Sequence, residues 1–500
     1  MNAKRFLSLM LAVMMLSSLC LFGCEGNTAK TTTPVGGPEV TDTTDTSKIY
    51  DAPIKDLGGH EFHFYVRTST AFSLSTQEVY AEAINGEKIN DAVFTRNAQL
   101  AEKYNCTIKE TRESKPHEKL KDPLLAGDYV CDYIYGAARD LRSLVTINLI
   151  ADLSAATNIN LEKAWYNHET MNNINVGNKT FYIQGDAIIG DEKPAWIMIF
   201  NKAYVAAIDP DLNLYDVVRS GDWTLETFYN LYVQGTEDLN GDGVLTIGTD
   251  RFGYIAERAT NWMHVNACNM TLSEIDANGN YTLPDSPKQE LIDVWTALRP
   301  VITAPERAVS YKNWDKGLGT FVGCQLANLS ETGNWNFEYG VLPMPKLNKD
   351  QANYCTGVMA SQFTAIVVPN TVNSADNDWQ KNGFESGVEQ AAYFLDAFSY
   401  YSMSTLTPAF FDYVVLKQAV IDEESREMVI MAVEHVVYDF VCSFSFGSIN
   451  IFSEVGSNNG VDIPGTDEAY DTLVSLYESR VVAARTQFQE YLTAIENAGM

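Results

Sequence analysis

Basic side chains are scarce in this chain: 35 lysines and arginines face 65 aspartates and glutamates, a formal net charge of -30. Nucleic-acid binding needs basic patches that displace counterions from phosphates, so this balance argues against it and for solubility outside the cell. Histidine is scarcer still, with six residues scattered along 500, which disfavours a histidine-dependent site. The local signatures of nucleophile, metal and nucleotide chemistry are missing too: there is no GxSxG elbow, no HExxH helix and no P-loop. None of the eight cysteines stands in CxxC spacing, which argues against a zinc or redox centre. No second apolar run matches the one that ends at Phe22, so the remainder reads as soluble.

What is present begins at the N-terminus. Lys4 and Arg5 precede an apolar segment from Phe6 to Phe22, which stops at Leu21-Phe22-Gly23-Cys24. A charged start, an apolar middle and a small residue before the cut site form a secretory signal. The ending resembles the lipobox of bacterial lipoproteins, in which the cysteine sulfur takes a diacylglyceryl group and becomes the first mature residue. That resemblance implies a signal peptide over residues 1–23, a lipid anchor on Cys24 and a place on the extracytoplasmic face of a bacterial cell membrane. The alternative is an uncleaved anchor, because the apolar stretch is only just shorter than the roughly 20 residues of a spanning helix. Residues 24–47, as in Thr31-Thr32-Thr33-Pro34 and Thr41-Asp42-Thr43-Thr44-Asp45, have almost nothing to bury. They read as a flexible tether with a span of roughly 25–30 Å.

The remaining stretch, about 450 residues, exceeds one typical domain and carries ample apolar material, so two lobes are expected. Six cysteines fall in it: Cys106, Cys131, Cys268, Cys324, Cys355 and Cys442. Export permits disulfides among them, sequence cannot choose a pairing, and buried free thiols are the alternative. Strand-like runs at Glu61–Val66, Cys106–Lys109 and Tyr129–Tyr135 alternate with helix-like segments at Asn90–Tyr104 and Lys115–Ala126. That alternation predicts a mainly parallel, doubly wound α/β sheet. Ligands bind such sheets at the carboxyl ends of the strands. The loops after Val66 (Arg67-Thr68-Ser69-Thr70) and after Tyr135 (Gly136-Ala137-Ala138-Arg139-Asp140) are therefore the candidate edge.

Further along, Trp196-Ile197-Met198-Ile199-Phe200-Asn201-Lys202 reads as a buried strand turning into a helix start. Asp222-Trp223-Thr224-Leu225-Glu226-Thr227-Phe228 offers Thr224 as an N-cap. Then come Asp238-Leu239-Asn240-Gly241-Asp242-Gly243, Asp250-Arg251-Phe252-Gly253-Tyr254, Tyr339-Gly340-Val341-Leu342-Pro343-Met344-Pro345-Lys346 and a strand over Phe363–Pro369. In their order these segments resemble the extracellular solute-binding proteins of ABC importers, the group that includes maltose-binding-like proteins, over nearly everything after the tether. The resemblance implies a two-lobed periplasmic-binding-protein fold of type II, each lobe a mainly parallel sheet flanked by helices, joined by crossing hinge strands. It implies an N-terminal lobe of residues 48–183 and 352–401 and a C-terminal lobe of residues 184–351 and 402–500. It also implies a solute, with carbohydrate favoured, and the transmembrane subunits of an ABC permease as partners.

Sugars are held by aromatic faces on their C–H surfaces and by planar polar side chains on their hydroxyls. On the resemblance, Trp335 and Trp262 match positions that often face ligand, and Trp196 and the pair Arg139-Asp140 are the next candidates. Each has a plainer alternative: tryptophans sit in cores, as Trp223 and Trp295 on their apolar patterns should, and adjacent charges pair at surfaces. Asp238, Asn240 and Asp242 place oxygens at alternating positions, Gly243 permits a turn, the Val244 carbonyl follows and Asp250 could close the set. This matches the first half of a calcium loop and predicts a structural calcium ion, although the twelfth position is Thr249 and a solvated turn would use the same residues.

The sequence thus reads as a lipid-anchored, non-enzymatic binding protein that closes on an oligosaccharide and delivers it to a permease. A surface-anchored carbohydrate-active enzyme remains the alternative, since paired carboxylates across a cleft leave no local motif. A ligand receptor for a sensor system is the other.

Overall fold

The chain divides into two units, Met1–Thr46 and Ser47–Met500. The computed structural model describes residues 46–68, 78–189, 195–256, 260–275, 281–309, 317–329, 335–358, 360, 362–411, 422–448 and 467–497. The signal segment, Cys24 and nearly all of the tether lie outside the described residues, as do Ser69 and Thr70.

In the second unit, β1 (His60–Arg67) alternates buried Phe62, Phe64 and Val66 with more exposed neighbours, the period-two pattern of a strand. The helix Lys88–Tyr104 buries Val93, Arg96, Leu100 and Tyr104 along one face, at helical spacing. It stops at Asn105, whose left-handed φ of 51° turns the chain into β2 (Cys106–Glu113). The helix Pro116–Ala126 starts on a proline and ends at Gly127, φ 83°, the expected asymmetry of helix ends. Next comes β3 (Tyr133–Ala137). It begins later than its apolar run suggests, because the Asp132 carboxylate accepts from the His63 N–H at 2.9 Å and from the Tyr129 hydroxyl at 2.9 Å, and these bonds hold the segment before the strand.

A second group of strands follows: β4 (Trp196–Asn201), β5 (Phe252–Ala256), β6 (Arg307–Val309), β7 (Gly319–Gln325) and β8 (Tyr339–Pro343). The chain then returns as β9 (Thr364–Val367). The first sheet has the order β9-β3-β1-β2 and the second β8-β4-β7-β5-β6. In the first, β1 runs parallel to β2 and β3, and only the returning β9 is antiparallel. In the second, β4 alone runs against its neighbours. Each sheet is thus mainly parallel with one reversed strand. Strands β4, β5, β7 and β8 are buried along their whole length, as sheets covered on both faces require.

Local chemistry fixes the connections. Asn201 ends β4 and caps the helix Lys202–Ile208 by accepting from the N–H groups of Ala203 and Tyr204. Thr224 caps Leu225–Gln234 through Thr227 N, as its sequence position predicts. A Cβ on Gly253 would lie 1.7 Å from the Tyr232 carbonyl oxygen, so only glycine lets that helix touch β5. Trp223 and Trp295 are core residues, and the Trp223 indole donates to the Pro343 carbonyl at 2.9 Å.

The helix Gly387–Phe411 touches both sheets. Its Phe394 ring stacks on Phe62 of β1, centroids 3.7 Å apart, while Leu406 and Phe410 join the hydrophobic cluster of Ile197, Ile199 and Val322. The helix Asp467–Asn497 packs its Tyr491 and Phe488 on Phe440, Phe444 and Phe446, and Tyr491 donates to the Tyr182 hydroxyl at 3.3 Å. All six cysteines of this unit are buried and none stands in a disulfide, the second of the two expected states. Among the described residues no helix is long and apolar enough to cross a membrane.

Candidate functional site

The carboxyl ends of β1 and β3 and the start of β9 form one edge, because β9 runs backwards and pairs Thr364 with Ala137. The matching edge of the second sheet holds the end of β7 and the start of β4, with Trp196 opposite Gln325. Both edges carry planar polar side chains, and these are buried.

On the first edge the Tyr135 hydroxyl and the Ile189 N–H both donate to Glu78 Oε2, each at 3.0 Å. Thr364 Oγ1 reaches the Tyr135 hydroxyl at 3.5 Å, and Gln184 Nε2 donates to the Thr364 carbonyl. The backbone of Glu78 is pinned by Arg96, which donates to the carbonyls of Glu78 (2.7 Å) and Val79 (3.0 Å) and to Ser402 Oγ (3.0 Å). Arg96 is wholly buried over the Phe398 ring, and burial pulls its pKa down to about 9 against the nearby charges of Glu78 and Glu110. It remains cationic at neutral pH, so Glu78 has a buried counter-charge.

A reciprocal pair joins the two edges. Gln325 Nε2 donates to Gln362 Oε1, and Gln362 Nε2 donates back to Gln325 Oε1 at 3.2 Å. Asn328 Oδ1 accepts from the Gln325 N–H at 3.1 Å. Beside them, Thr356 Oγ1 accepts from the Trp196 N–H (2.8 Å) and donates to its carbonyl (2.9 Å). Two polar atoms in this strip lack a hydrogen-bond partner although buried: Gln184 Oε1, an acceptor, and Trp196 Nε1, a donor. A buried polar atom left without a partner costs about 1–3 kcal/mol.

Charge gathers at the same edge. Val66 pairs with Tyr135, so Arg67 leaves β1 beside the end of β3, where the helix Ala138–Thr146 begins. The Ala138 N–H donates to the Phe363 carbonyl at 2.9 Å, next to Gln362. Arg139 Nε lies 3.4 Å from Asp140 Oδ1, both side chains about one-third to one-quarter exposed (33% and 26%). Burial lowers the Arg67 pKa and the Arg139 charge presses the same way, while Asp140 opposes them. His117, half-buried within range of Asp140 and Arg67, is likewise lowered by burial, so its imidazole is neutral at pH 7.

Of the residues that sequence singles out, Arg139, Asp140 and Trp196 thus lie at these edges. Trp196 is fully buried. Trp335 is half-buried, stacked on Phe337 with centroids 5.0 Å apart, and packs on the cluster of Val322 and Leu326. Trp262 rides on the helix Thr260–Ala267, half-buried against a different cluster that contains Tyr254 and Trp295. Sequence reasoning missed Glu78, Tyr135, Gln184, Gln325, Gln362 and Thr364. The one signal available was position, since Tyr135, Gln325 and Thr364 stand at or near strand ends facing the other sheet.

The loop at 238–250 is closed by its own hydrogen bonds. Asp238 accepts from the N–H groups of Gly241 and Gly243 (2.7 Å each), and these bonds hold its carboxyl below the usual range, the Gly243 bond foremost. Asp242 accepts from the Val244 N–H (2.8 Å) and Asn240 Nδ2 (2.9 Å), and Asp250 from the N–H groups of Leu239 (2.9 Å) and Thr246 (2.7 Å). Among the described residues no group of three or more His, Cys, Asp or Glu side chains is placed to hold a metal ion. A calcium ion there would have to draw the three aspartates closer together.

No protein-family model matches the chain, and no curated protein does. Solved structures do. The cyclic alpha-maltosyl-1,6-maltose binding protein of Arthrobacter globiformis superposes with a TM-score of 0.50 at 13% identity, over 85% of this chain and 99% of that one. A sugar transporter protein of Rhizobium etli in an open conformation gives a TM-score of 0.50 at 11% identity, over 87% of this chain and 99% of that one. The chain has the two-lobed solute-binding-protein fold. In it the two sheets are the cores of the two lobes, and the amide pair Gln325–Gln362 runs from one lobe to the other.

Proposed function

We propose that this protein binds an oligosaccharide between its two lobes, without turning it over, and hands it to an ABC permease, held to the extracytoplasmic face of the membrane by a lipid on Cys24. The observation that carries the reading is the buried polar strip across the facing edges, which ends in one unpartnered acceptor, Gln184 Oε1, and one unpartnered donor, Trp196 Nε1. A sugar hydroxyl both donates and accepts, so polyhydroxyl ligands complement such a strip better than apolar or purely cationic ones. Contacts made from both lobes stabilise the closed form over the open one, and only that difference in affinity drives closure.

The test is a thermal-shift screen of the protein from about residue 48 onward against neutral and acidic oligosaccharides, monosaccharides, peptides and polyols, with substrate turnover followed in the same wells. A ligand at a hundred times its Kd adds about 2.7 kcal/mol of stability. A sugar that stabilises and is recovered intact supports the reading. A cleaved sugar moves the protein to the hydrolases, and stabilisation by peptides alone removes the carbohydrate. Labelling with radioactive palmitate in a bacterial host, compared with Cys24→Ser, tests the anchor.

A structural calcium ion at the 238–250 loop is a secondary part of the proposal. The alternating oxygens of Asp238, Asn240 and Asp242 support it and the self-closed hydrogen bonds oppose it. A chelator that leaves both the melting temperature and the bound-metal content unchanged removes it.

A further inference from the structure

We propose a second ligand site, separate from the polar strip, that takes an organic ammonium ion: a primary amine in its protonated form. The proposal goes beyond the oligosaccharide reading and does not depend on it.

The site is a cavity of about 520 Å³, within the size range of small-molecule pockets. One wall is the helix His168–Ile174, which contributes Glu169 and Asn173. This wall is tied to the first sheet, because Asn175 Nδ2 donates to the Tyr182 carbonyl at 2.9 Å and the Ile183 N–H to the Ile366 carbonyl of β9 at 2.9 Å. The facing wall runs from Asn269 to Lys288, in the excursion between β5 and β6 of the second sheet. The Tyr281 hydroxyl spans the two walls by donating to the Asn173 carbonyl at 2.6 Å. Val436 and Val437, paired with Thr356 and Gly357, add an apolar flank. None of Gln184, Trp196, Gln325 and Gln362 lines this cavity.

Two features select the ligand. The first is that the hydroxyl protons are already spent. Thr271 Oγ1 donates to the Ser273 carbonyl at 2.9 Å, Ser273 Oγ to Asp439 Oδ1 at 3.2 Å, and Tyr281 to Asn173 as described. A hydroxyl has one proton and two lone pairs, so all three meet an occupant as acceptors. The second is charge. The lining holds the carboxylates of Glu169 and Glu274 against one ammonium, Lys288, which is bound to Glu274 Oε1 at 2.7 Å. Glu169 has no ion-pair partner among the described residues. Arg485, which reaches the same wall, is engaged by Asp285 and by the Leu283 carbonyl.

An ammonium group donates three hydrogen bonds and accepts none, which matches a lining rich in acceptors with one carboxylate in excess. An anionic ligand would meet the uncompensated Glu169, and a neutral one would leave it without a counter-charge. The amides of Asn173 and Asn269 both donate and accept, so they serve any of the three. The methylenes that carry the amine can lie on Val436 and Val437. Such an ammonium is found on free diamines and polyamines and on amino sugars.

The experiment measures Kd by calorimetry at pH 7 for putrescine, spermidine and glucosamine, with butanediol and N-acetylglucosamine as uncharged counterparts. The expected result is at least one amine bound ten-fold or more tighter than its counterpart. Glu169→Gln and Glu274→Gln should each weaken that amine ten-fold or more, and Lys288→Gln should tighten it. A preference for putrescine or spermidine identifies a free polyamine, and a preference for glucosamine an amino sugar. Ratios near one throughout overturn the proposal. A chain of formal charge -30 also attracts polyamines diffusely, and amine binding that survives both glutamate substitutions is of that kind and overturns the proposal too. Glu169 is exposed, so its variant still decides the matter if melting temperatures show Glu274→Gln to be unstable. Oligosaccharide binding is left untouched by either failure.

Discussion

The side-chain amides of Gln325 and Gln362 face each other across the gap between the two sheets and exchange hydrogen bonds in both directions. Both residues are more than nine-tenths buried. Truncating either removes both bonds of the exchange inside a buried site, so Gln325→Ala and Gln362→Ala should each destabilise by about 1–3 kcal/mol. The double variant should lose much less than the sum, with a coupling of about 0.5–3 kcal/mol. Urea unfolding of the four proteins measures it, and strict additivity would show that the pair does not act as a unit.

Trp335→Ala and Trp262→Ala are expected to weaken saccharide binding by at least ten-fold each while the protein still folds. Both rings are half-buried, each at the margin of a hydrophobic cluster, so some loss of melting temperature will accompany the change. Titration of the folded variants decides the matter. Normal affinity in both would move the ligand away from these two rings.

His264 sets a pH dependence. It is wholly buried, with Nε2 2.9 Å from the Tyr254 hydroxyl, and its pKa is pushed down to about 3, by burial first and by the Arg307 charge second. The unfolded imidazole titrates near 6.5 and the folded one is depressed to about 3, so the stability carried by the neutral histidine is fully present above about pH 6.5 and is lost as pH falls from there towards 3. Between pH 7 and 4 the wild type should lose on the order of 2–3 kcal/mol more than His264→Phe. Equal slopes in chemical denaturation at the two pH values would contradict this.

The six thiols should be unreactive in the folded protein. Burial pushes Cys106 up to about 12 and Cys355 up to about 11, and drives Cys131 and Cys442 well above the ordinary value. Only thiolates react quickly. Ellman's reagent at pH 8 should therefore find close to none before denaturation of the residue 48–500 protein and six afterwards; fewer than six after denaturation would reveal a disulfide.

Strands and helices of the first sheet were legible because their patterns are local: Phe62, Phe64 and Val66 alternate, and Val93, Arg96 and Leu100 recur at helical spacing. The candidate edge was legible as far as strand ends predict it, which is why Arg139 and Asp140 stand out. Gln184, Gln325 and Gln362 did not, since their partnership depends on register between strands far apart in sequence and no local chemistry marks a lone glutamine. Trp196 was named from its strand, but its burial follows from β4 lying in the interior of the second sheet, between β7 and β8, a place that only the strand order reveals.

The helix Gly387–Phe411, about 38 Å long, is seated in both lobes, with Phe394 on β1 and with Leu406 and Phe410 among residues of the second sheet. A rod clamped at both ends resists bending, so the two lobes are not free to swing independently. Opening would have to concentrate at one end of this rod, by slipping Leu406 and Phe410 in their socket or by bending the helix near Pro408, where the ring removes a backbone hydrogen bond. The stiffness of that last turn would then set how wide a solute this protein can admit.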